Sequence, residues 1–317
     1  MLALLHPADA RHAVDLLRHL LTGPAQRDVR VASAGVTGFP EWRSLDEWWR
    51  ITETGWFDEA LTGNLFTTWF QPVVDTSLDG VLGYECLARV RTPAAHDDRQ
   101  SSGRDILEAA RLRGEERSLD RHLREVAVWS AAAFSPQSVF FINFLPQFIF
   151  EPDRCLSDTF AAISKCRLPA ARVVFEAVNA AAVQPQHLSA IAEAVRGRGC
   201  GISLDDVSIS NGGLQLIYGL CPDYVKLAGE LMLDIEAPAC ATAIRRLVEA
   251  ADRTGTTVVA KNVEDVAMME NLWLLGVQVM QGNYFASPAP APALGSADLI
   301  NLISALDRPE ICQPLRN

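Results

Sequence analysis

The stretch Gly201-Ile202-Ser203-Leu204-Asp205-Asp206 decides the fold, because a short apolar run closes there on two adjacent carboxylates. An apolar run of this length predicts a buried strand. Two carboxylates at the end of a buried strand are costly unless a positive charge compensates them. The stretch therefore predicts a strand that ends at a site where a cation is held.

The same pattern recurs along the chain, where short apolar runs end in Asn143, Glu176, Lys226 and Lys261. From about residue 66 onward, such runs alternate with longer amphipathic stretches, which is typical of strand and helix units around a parallel sheet. The predicted strands cover 66–74, 82–90, 138–143, 172–177, 201–205, 223–227, 256–260 and 277–280. The predicted helices cover 104–113, 117–133, 155–164, 184–197, 211–219, 237–254, 264–275 and 295–305. This pattern predicts an α/β fold of the (β/α)8, TIM-type barrel class.

In such barrels the active site lies at the carboxyl ends of the strands, so polar residues that end several strands converge there. For any single position, an isolated polar residue at the start of a loop is the commoner interpretation. Repetition of the pattern over five strands favours a common site.

Residues 1–60 predict a small, mainly helical extension ahead of a barrel over 61–305, and 306–317 form an irregular tail. The extension contains an amphipathic helix pattern from Ala10 to Leu21. Five of the seven tryptophans fall between Trp42 and Trp69. Exposing so aromatic a run would leave a large apolar surface in water. We expect it to dock on the barrel or form a subunit interface, with simple core packing as the alternative.

Composition excludes several classes of protein. A net charge of −11 and a pI near 5.0 argue against a nucleic-acid polymer as partner, since that binding depends on clustered Lys and Arg. The sequence has neither an apolar stretch of the roughly 20 residues that span a bilayer nor an early signal-peptide core. We expect no membrane partner and a cytoplasmic location.

The oxygen-rich residues at the strand ends favour Mg or Mn over a thiolate-bound metal. The seven cysteines include no C-x-x-C pair, and the six histidines include no H-E-x-x-H spacing. Zinc chemistry is therefore disfavoured.

Four short motifs, in this order along the chain, resemble the EAL domain family: 70–75 (Phe-Gln-Pro-Val-Val-Asp), 84–89 (Tyr-Glu-Cys-Leu-Ala-Arg), 204–206 and Gln281-Gly282. The Glu-Ala-Leu tripeptide that names the family reads Glu85-Cys86-Leu87 here. The resemblance covers roughly residues 60–305. It implies a modified (β/α)8 barrel that hydrolyses one phosphodiester bond of cyclic di-GMP with Mg or Mn, giving linear pGpG in bacterial second-messenger signalling.

The resemblance also implies roles for individual residues. The first metal would be held by Glu85, Asn143, Glu176 and Asp205. A second metal would be shared by Asp205 and Asp206. The remaining roles fall to Lys226, which would orient the attacking water, to Arg89, which would meet a ligand phosphate, and to Gln71 and Gln281, which would line the nucleotide pocket. Without the resemblance, Arg89, Gln71 and Lys226 are simple surface or loop residues.

The sequence departs from the family at its catalytic segment, where Ala-Glu-Gly-Val-Glu reads Ala260-Lys261-Asn262-Val263-Glu264. Lys261 thus replaces the general base, and a lysine with a pKa of about 10.4 cannot take a proton from water near neutral pH. We expect its ammonium to neutralise the Asp pair, facing Asp206, and to contact a ligand phosphate, so that one metal site is retained and the second is doubtful. The alternative is that Lys261 points outward and Glu264 alone enters the site as a substitute base.

Other departures point in the same direction. The loop that follows Asp205-Asp206 has its glycines at different positions from the family loop, and Asn179 and Ala228 stand where the family has acidic residues. Three interpretations remain open: a receptor that binds cyclic di-GMP with weak or no hydrolysis, an active phosphodiesterase, and a protein-interaction module that no longer binds the nucleotide. Regulation would then come from residues 1–60 or from a partner, either another protein or a second copy of the chain in a homodimer.

Overall fold

The computed structural model describes residues 10–21, 30–33, 41–78, 80–91, 102–134 and 138–291. Its centre is a closed barrel of eight strands in the order β10-β3-β4-β5-β6-β7-β8-β9. The predicted TIM-type barrel is confirmed. The strands are β1 Arg30–Ser33, β2 Glu41–Ser44, β3 Phe66–Asp75, β4 Gly80–Val90, β5 Val139–Phe144, β6 Val173–Ala177, β7 Gly201–Val207, β8 Tyr224–Leu227, β9 Thr257–Ala260 and β10 Val279–Met280.

The helices follow the sequence pattern closely. They are α1 Ala10–Leu20, α2 Leu45–Glu53, α3 Trp56–Thr62, α4 Gly103–Arg113, α5 Glu116–Ala132, α6 Pro152–Cys155, α7 Ser157–Lys165, α8 Pro185–Gly197, α9 Gly213–Leu220, α10 Pro238–Thr254 and α11 Val266–Leu274. The predicted helix over 295–305 and the tail over 306–317 lie outside the described residues. Within the described part of the chain, no helix combines the length and the apolar character needed to cross a membrane.

β3, the first strand of the barrel, runs antiparallel to β10, the strand with which it closes the barrel. β10 pairs antiparallel with β3 and parallel with β9. Only residues 76–79 connect β3 to β4, and a parallel connection needs a crossover of a dozen or more residues. This short connection produces the reversed strand of the modified barrel.

The barrel interior is filled below its mouth by an apolar layer. Val73, Phe141, Val174, Val259 and Val279 pack there and are buried. Side chains alternate between the two faces of a strand, so residues two positions along the same strands point into the same interior. The next layer is the polar one described below.

The chain divides into two compact units, Met1–Phe66 with Ala88–Leu119 and Thr67–Leu87 with Asp120–Asn317. In the first unit, β1 and β2 form an antiparallel pair that the sequence pattern did not predict. Arg18 stacks over Trp49 at 3.9 Å, whereas Trp42 is 53% exposed. Docking of the tryptophan-rich run on the barrel and the boundary at residue 60 stay predictions.

The backbone at Gly282 lies unusually close to the loop that follows β9. A Cβ atom at this position would lie 2.1 Å from the Val263 carbonyl oxygen and 2.3 Å from its nitrogen. Val263 also donates its N–H to the Gln281 carbonyl oxygen at 3.0 Å, and its own carbonyl accepts from Tyr284 N–H at 3.0 Å. Glycine is therefore required for the loops after β9 and β10 to pack together.

We predict that Gly282→Ala lowers the free energy of unfolding by about 1–3 kcal/mol, because the added methyl group forces the Val263 backbone away. Gly219→Ala is the matched control, since a Cβ at Gly219 in α9 meets nothing within 4 Å. Alanine favours a helix over glycine by up to about 1 kcal/mol, so the control keeps or raises stability. Urea denaturation of both variants checks this, and equal stabilities would contradict the close-approach argument.

Candidate functional site

Each of the eight barrel strands contributes one polar side chain near the same end of the barrel, from within the strand or from the residue after it. We call this set the polar layer: Gln71 (β3), Glu85 (β4), Asn143 (β5), Glu176 (β6), Asp205 (β7), Lys226 (β8), Lys261 (after β9) and Gln281 (after β10). On β3, β5 and β6 the residue two positions deeper belongs to the apolar layer. The polar layer therefore closes the barrel above a dry interior.

Lys226 is the central cation of the layer, and its side chain is fully buried. Its Nζ lies 2.7 Å from Glu85 Oε2 and 2.8 Å from Glu176 Oε2. The ammonium also stands over the Phe141 ring, 5.2 Å from the ring centroid. Burial alone would lower the pKa of Lys226, but the charges of Glu176 and Glu85 outweigh it and raise the pKa above its ordinary value. Lys226 thus stays charged although no water reaches it.

Glu85 receives hydrogen bonds from three side chains. Asn143 Nδ2 donates to Oε1 at 3.0 Å, and Lys226 and Gln281 both donate to Oε2 at 2.7 Å. Gln281 Nε2 is also 3.0 Å from Gln71 Oε1. Burial would raise the pKa of Glu85, but the Lys226 charge and these hydrogen bonds lower it to about 2. Glu85 is therefore the ionised partner of Lys226.

Glu176 also lies next to the Lys226 ammonium, but it receives fewer hydrogen bonds than Glu85. It is 1% exposed, and among the described residues its Oε1 atom has no hydrogen-bond partner. Burial raises the pKa of Glu176 to about 8; the charge of Lys226 opposes this, and those of Glu85 and Asp205 add to it. One ammonium therefore balances one carboxylate, and Glu176 carries a proton at neutral pH when no other cation is bound.

Lys261 forms the second ion pair of the layer. Its Nζ contacts Asp205 Oδ1 directly and lies 3.9 Å from Asp206 Oδ1. The expected partner was Asp206, so the closer contact with Asp205 differs from the sequence prediction. The expectation that Lys261 points outward with Glu264 alone in the site is also not met, since the Lys261 side chain is only 18% exposed.

A bulge in β7 explains which aspartate faces the lysine. Between the register pairs Leu204–Val225 and Val207–Leu227, two residues of β7, Asp205 and Asp206, lie opposite the one residue of β8 between those pairs. Asp206 adopts a left-handed backbone conformation with φ of 59° and is 61% exposed. Its Oδ1 accepts from Gly229 N–H at 3.3 Å. The extra residue of a bulge turns away from the ladder, so Asp205 remains inward and Asp206 faces the loop after β8.

The donor types at the first metal position suit Mg or Mn. Carboxylate and amide oxygens come from neighbouring strands, and the buried Glu176 Oε1 atom has no hydrogen-bond partner in the described part of the chain. At the predicted second position, the Lys261 ammonium pairs with Asp205 and lies near Asp206. Among the described residues, no three Asp, Glu, His or Cys side chains converge closely enough to hold an ion.

The polar layer does not include two of the predicted site residues, Glu264 and Arg89. Glu264 is exposed, and in the described ranges no hydrogen bond or ion pair links it to the polar layer. Arg89 belongs to the other compact unit and donates to the Ala88 carbonyl oxygen at 2.8 Å. Their roles as substitute base and phosphate contact stay predictions.

Sequence reasoning missed Ser203, whose hydroxyl is buried without a hydrogen-bond partner in the described residues. It pairs in register with Glu176 on the neighbouring strand. Its signal was a polar residue two positions before Asp205 within an apolar run, on the same face of β7.

The unequal environments of the two glutamates give a stability prediction. With EDTA at pH 6, Glu176→Gln should cost less than about 1 kcal/mol, because the amide replaces an already neutral carboxylic acid. Glu85→Gln should cost about 2–3 kcal/mol, because it removes the charged acceptor of several hydrogen bonds. Urea denaturation of both variants measures the difference, and equal costs would contradict the assignment of the charge to Glu85.

The sign of the pH dependence follows from the raised pKa of Glu176, about 8 in the folded protein. Wild-type stability decreases as pH rises from the unfolded pKa of Glu, about 4.3, towards 8, because the unfolded state gives up this proton first. The Glu176→Gln variant has no titratable proton at this position. Its stability relative to wild type should therefore rise across this window, by at most about 1.4 kcal/mol per pH unit. A pH-independent difference would contradict this protonation state.

Comparison with known proteins agrees with this architecture. The EAL domain family model matches residues 55–288. An uncharacterized protein of Mycobacterium tuberculosis is 26% identical over 252 residues, which cover 73% of this chain and 78% of the relative.

Solved structures with the same fold include a standalone EAL protein of Vibrio cholerae in its cyclic di-GMP-bound form, with a TM-score of 0.62 and 28% identity, covering 71% of this chain and 92% of that one. The FimX EAL domain of Xanthomonas citri, solved with cyclic di-GMP, gives 0.66 and 19%, covering 76% and 95%. A manganese and cyclic di-GMP complex of BlrP1 from Klebsiella pneumoniae gives 0.62 and 21%, covering 71% and 56%. The family match spans most of the chain and coincides with the barrel and its polar layer, and the chain belongs to the EAL domain family.

Proposed function

We propose that this protein is a receptor for cyclic di-GMP in bacterial second-messenger signalling, and that its hydrolytic activity is weak or lost. Family membership and the cyclic di-GMP-bound structures of similar fold support the ligand. The ion pair between Lys261 and Asp205 supports the loss of hydrolysis, and it is the observation that carries the proposal.

The charge of Lys261 is the physical reason. A lysine ammonium paired with a carboxylate keeps its proton and cannot act as a general base. Two unit charges 4 Å apart interact by about 4 kcal/mol at an effective dielectric constant of 20. An ammonium beside Asp205 and Asp206 therefore opposes the binding of a second divalent cation there.

The donor types of the first metal position are present, and we assign one Mg or Mn ion to Glu85, Asn143, Glu176 and Asp205, whose three carboxylates would have to lie closer together with the ion bound than they do here. The bound cation would supply positive charge to a ligand phosphate. Contacts to the nucleotide are assigned to Gln71, Arg89, Gln281 and Lys261. Gln71 and Gln281 are hydrogen-bonded to one another, which supports a shared wall of the pocket.

An active Mg- or Mn-dependent phosphodiesterase is the second candidate, and the complete set of Glu85, Asn143, Glu176, Asp205 and Lys226 favours it. Loss of a well-placed general base costs about 10²- to 10⁴-fold in rate, so slow turnover can persist. An interaction with a protein partner or a second copy stays a prediction, as does a cytoplasmic location.

Titration calorimetry with cyclic di-GMP, with and without Mn²⁺, tests the proposal when product analysis follows on the same sample. We expect binding with little or no pGpG. Absence of binding would remove both nucleotide functions. Turnover near the usual enzymatic range of about 1–10³ s⁻¹ would instead establish the phosphodiesterase.

Replacement of Lys261 tests the general-base argument. Lys261→Glu restores a carboxylate and should raise the rate of hydrolysis with Mn²⁺ by about 10²-fold or more. Lys261→Gln is the matched control, because it removes the charge without supplying a base, and it should not raise the rate. If both variants stay inactive while binding the ligand, the altered loop after β7 is the greater defect. If both gain activity equally, the charge of Lys261 and not the missing base is responsible.

A further inference from the structure

A buried ion pair outside the polar layer is tied to the strand that carries Asn143. Asp120 and Arg124, four residues apart in α5, are 5% and 1% exposed and contact each other through Asp120 Oδ2 and Arg124 Nη1. Burial lowers the pKa of Arg124 to about 10, still well above neutral, so the guanidinium stays charged. Neither residue belongs to the polar layer.

The pair makes its remaining hydrogen bonds to the connection that follows β5. The other carboxylate oxygen, Asp120 Oδ1, accepts from the Leu145 N–H at 2.8 Å. Arg124 Nε donates to Thr159 Oγ1 at 3.1 Å and Arg124 Nη2 to the Cys155 carbonyl oxygen at 3.2 Å. One ion pair therefore holds both the end of β5 and the two helices, α6 and α7, to which the connection leads.

Leu145 is the second residue after Asn143, so its fixed N–H limits the movement of the strand end. Asn143 in turn reaches Glu85 with its Nδ2 atom at 3.0 Å. A continuous path of contacts thus runs from Arg124 through Asp120 and the Leu145 backbone to Asn143 and Glu85.

The contribution of the Asp120–Arg124 pair to the stability of the fold does not explain why these two residues are charged. Well-packed apolar residues can replace a buried ion pair at no cost in stability, because desolvation of the charges offsets their attraction. An apolar pair has no atom that can accept a hydrogen bond from the Leu145 N–H. The specific contribution of Asp120 is the position of the strand end.

We propose that Asp120, held by Arg124, is a positioning residue that sets the reach of Asn143 into the polar layer and so the affinity for the ligand bound there. The consequence for the ligand rests on the proposed function. The consequence for Asn143 does not, because it concerns the protein alone.

Two double variants separate the hydrogen bond from the charge. Asp120→Asn with Arg124→Met removes both charges and keeps an oxygen for the Leu145 N–H, whereas Asp120→Leu with Arg124→Met removes that acceptor as well. Loss of a residue that orients a metal ligand typically costs about 10- to 100-fold. In calorimetry with cyclic di-GMP and Mn²⁺, we expect about tenfold weaker binding for the Leu/Met variant and little change for the Asn/Met variant.

A cycle with Asn143→Ala shows whether Asp120 acts through Asn143. In the Asn143→Ala background, the difference in affinity between the two double variants should disappear. If the difference persists undiminished, Asp120 has only a structural role and the proposal is overturned. Equal affinities of the two double variants in the wild-type background would overturn it as well.

Nuclear magnetic resonance on the ligand-free protein provides the readout that does not depend on the proposed function. In the Leu/Met variant the Leu145 amide should exchange faster and the Asn143 side-chain amide signals should shift; in the Asn/Met variant both should resemble wild type. Unchanged Asn143 signals in the Leu/Met variant would refute the positioning role.

If wild type binds no cyclic di-GMP, the proposed function fails, and the role of Asp120 is then decided by these signals alone. If the Leu/Met variant does not fold, Asp120→Glu, which keeps the charge and displaces the acceptor, takes its place with the same expected changes.

Discussion

The site depends on the compensation of charge inside a closed barrel. Lys226 is fully buried, and it is tolerated only because Glu85 and Glu176 lie within hydrogen-bonding distance of its ammonium. The same requirement fixes the side-chain amides, since Asn143 and Gln281 donate to Glu85. The positions of most polar side chains at the mouth follow from this single ion pair.

The two lysines of the layer differ in how they compare with the family pattern, but their physical roles are similar. Lys226 stands where the family has a lysine, and Lys261 stands where it has a glutamate. Lys226 lies equally close to two carboxyl groups, whereas Lys261 contacts one carboxylate directly and has a second 3.9 Å away. The barrel thus accommodates a cation at Lys261, because the neighbouring aspartates supply the opposite charge.

Much of the fold could be predicted from the sequence. The strands of the barrel and the helices α4, α5 and α7 to α11 begin and end close to their predicted bounds, because apolar periodicity reports burial directly, whereas the short α6 was not predicted. The convergence of Asn143, Glu176 and Lys226 followed from their positions at strand ends, whereas the place of Glu85, in the middle of β4, was predicted only from the resemblance to the EAL family. The partner of Lys261 could not be predicted, since one extra residue in β7 decides which aspartate faces inward and a bulge has no periodic signal. The Asp120–Arg124 pair was missed for a related reason, because an Asp and an Arg four residues apart in a helix usually face water.

The balance of charges in the polar layer has a consequence for the speed of association. The two ammonium groups stand against the carboxylates of Glu85, Asp205 and Asp206, while Glu176 is protonated, so one negative charge is left uncompensated at the mouth of a protein whose overall charge is −11. Attraction over long distances speeds an encounter only where one sign of charge prevails. The anionic ligand that we propose would therefore gain no long-range attraction from this barrel, and its recognition would begin at contact distance.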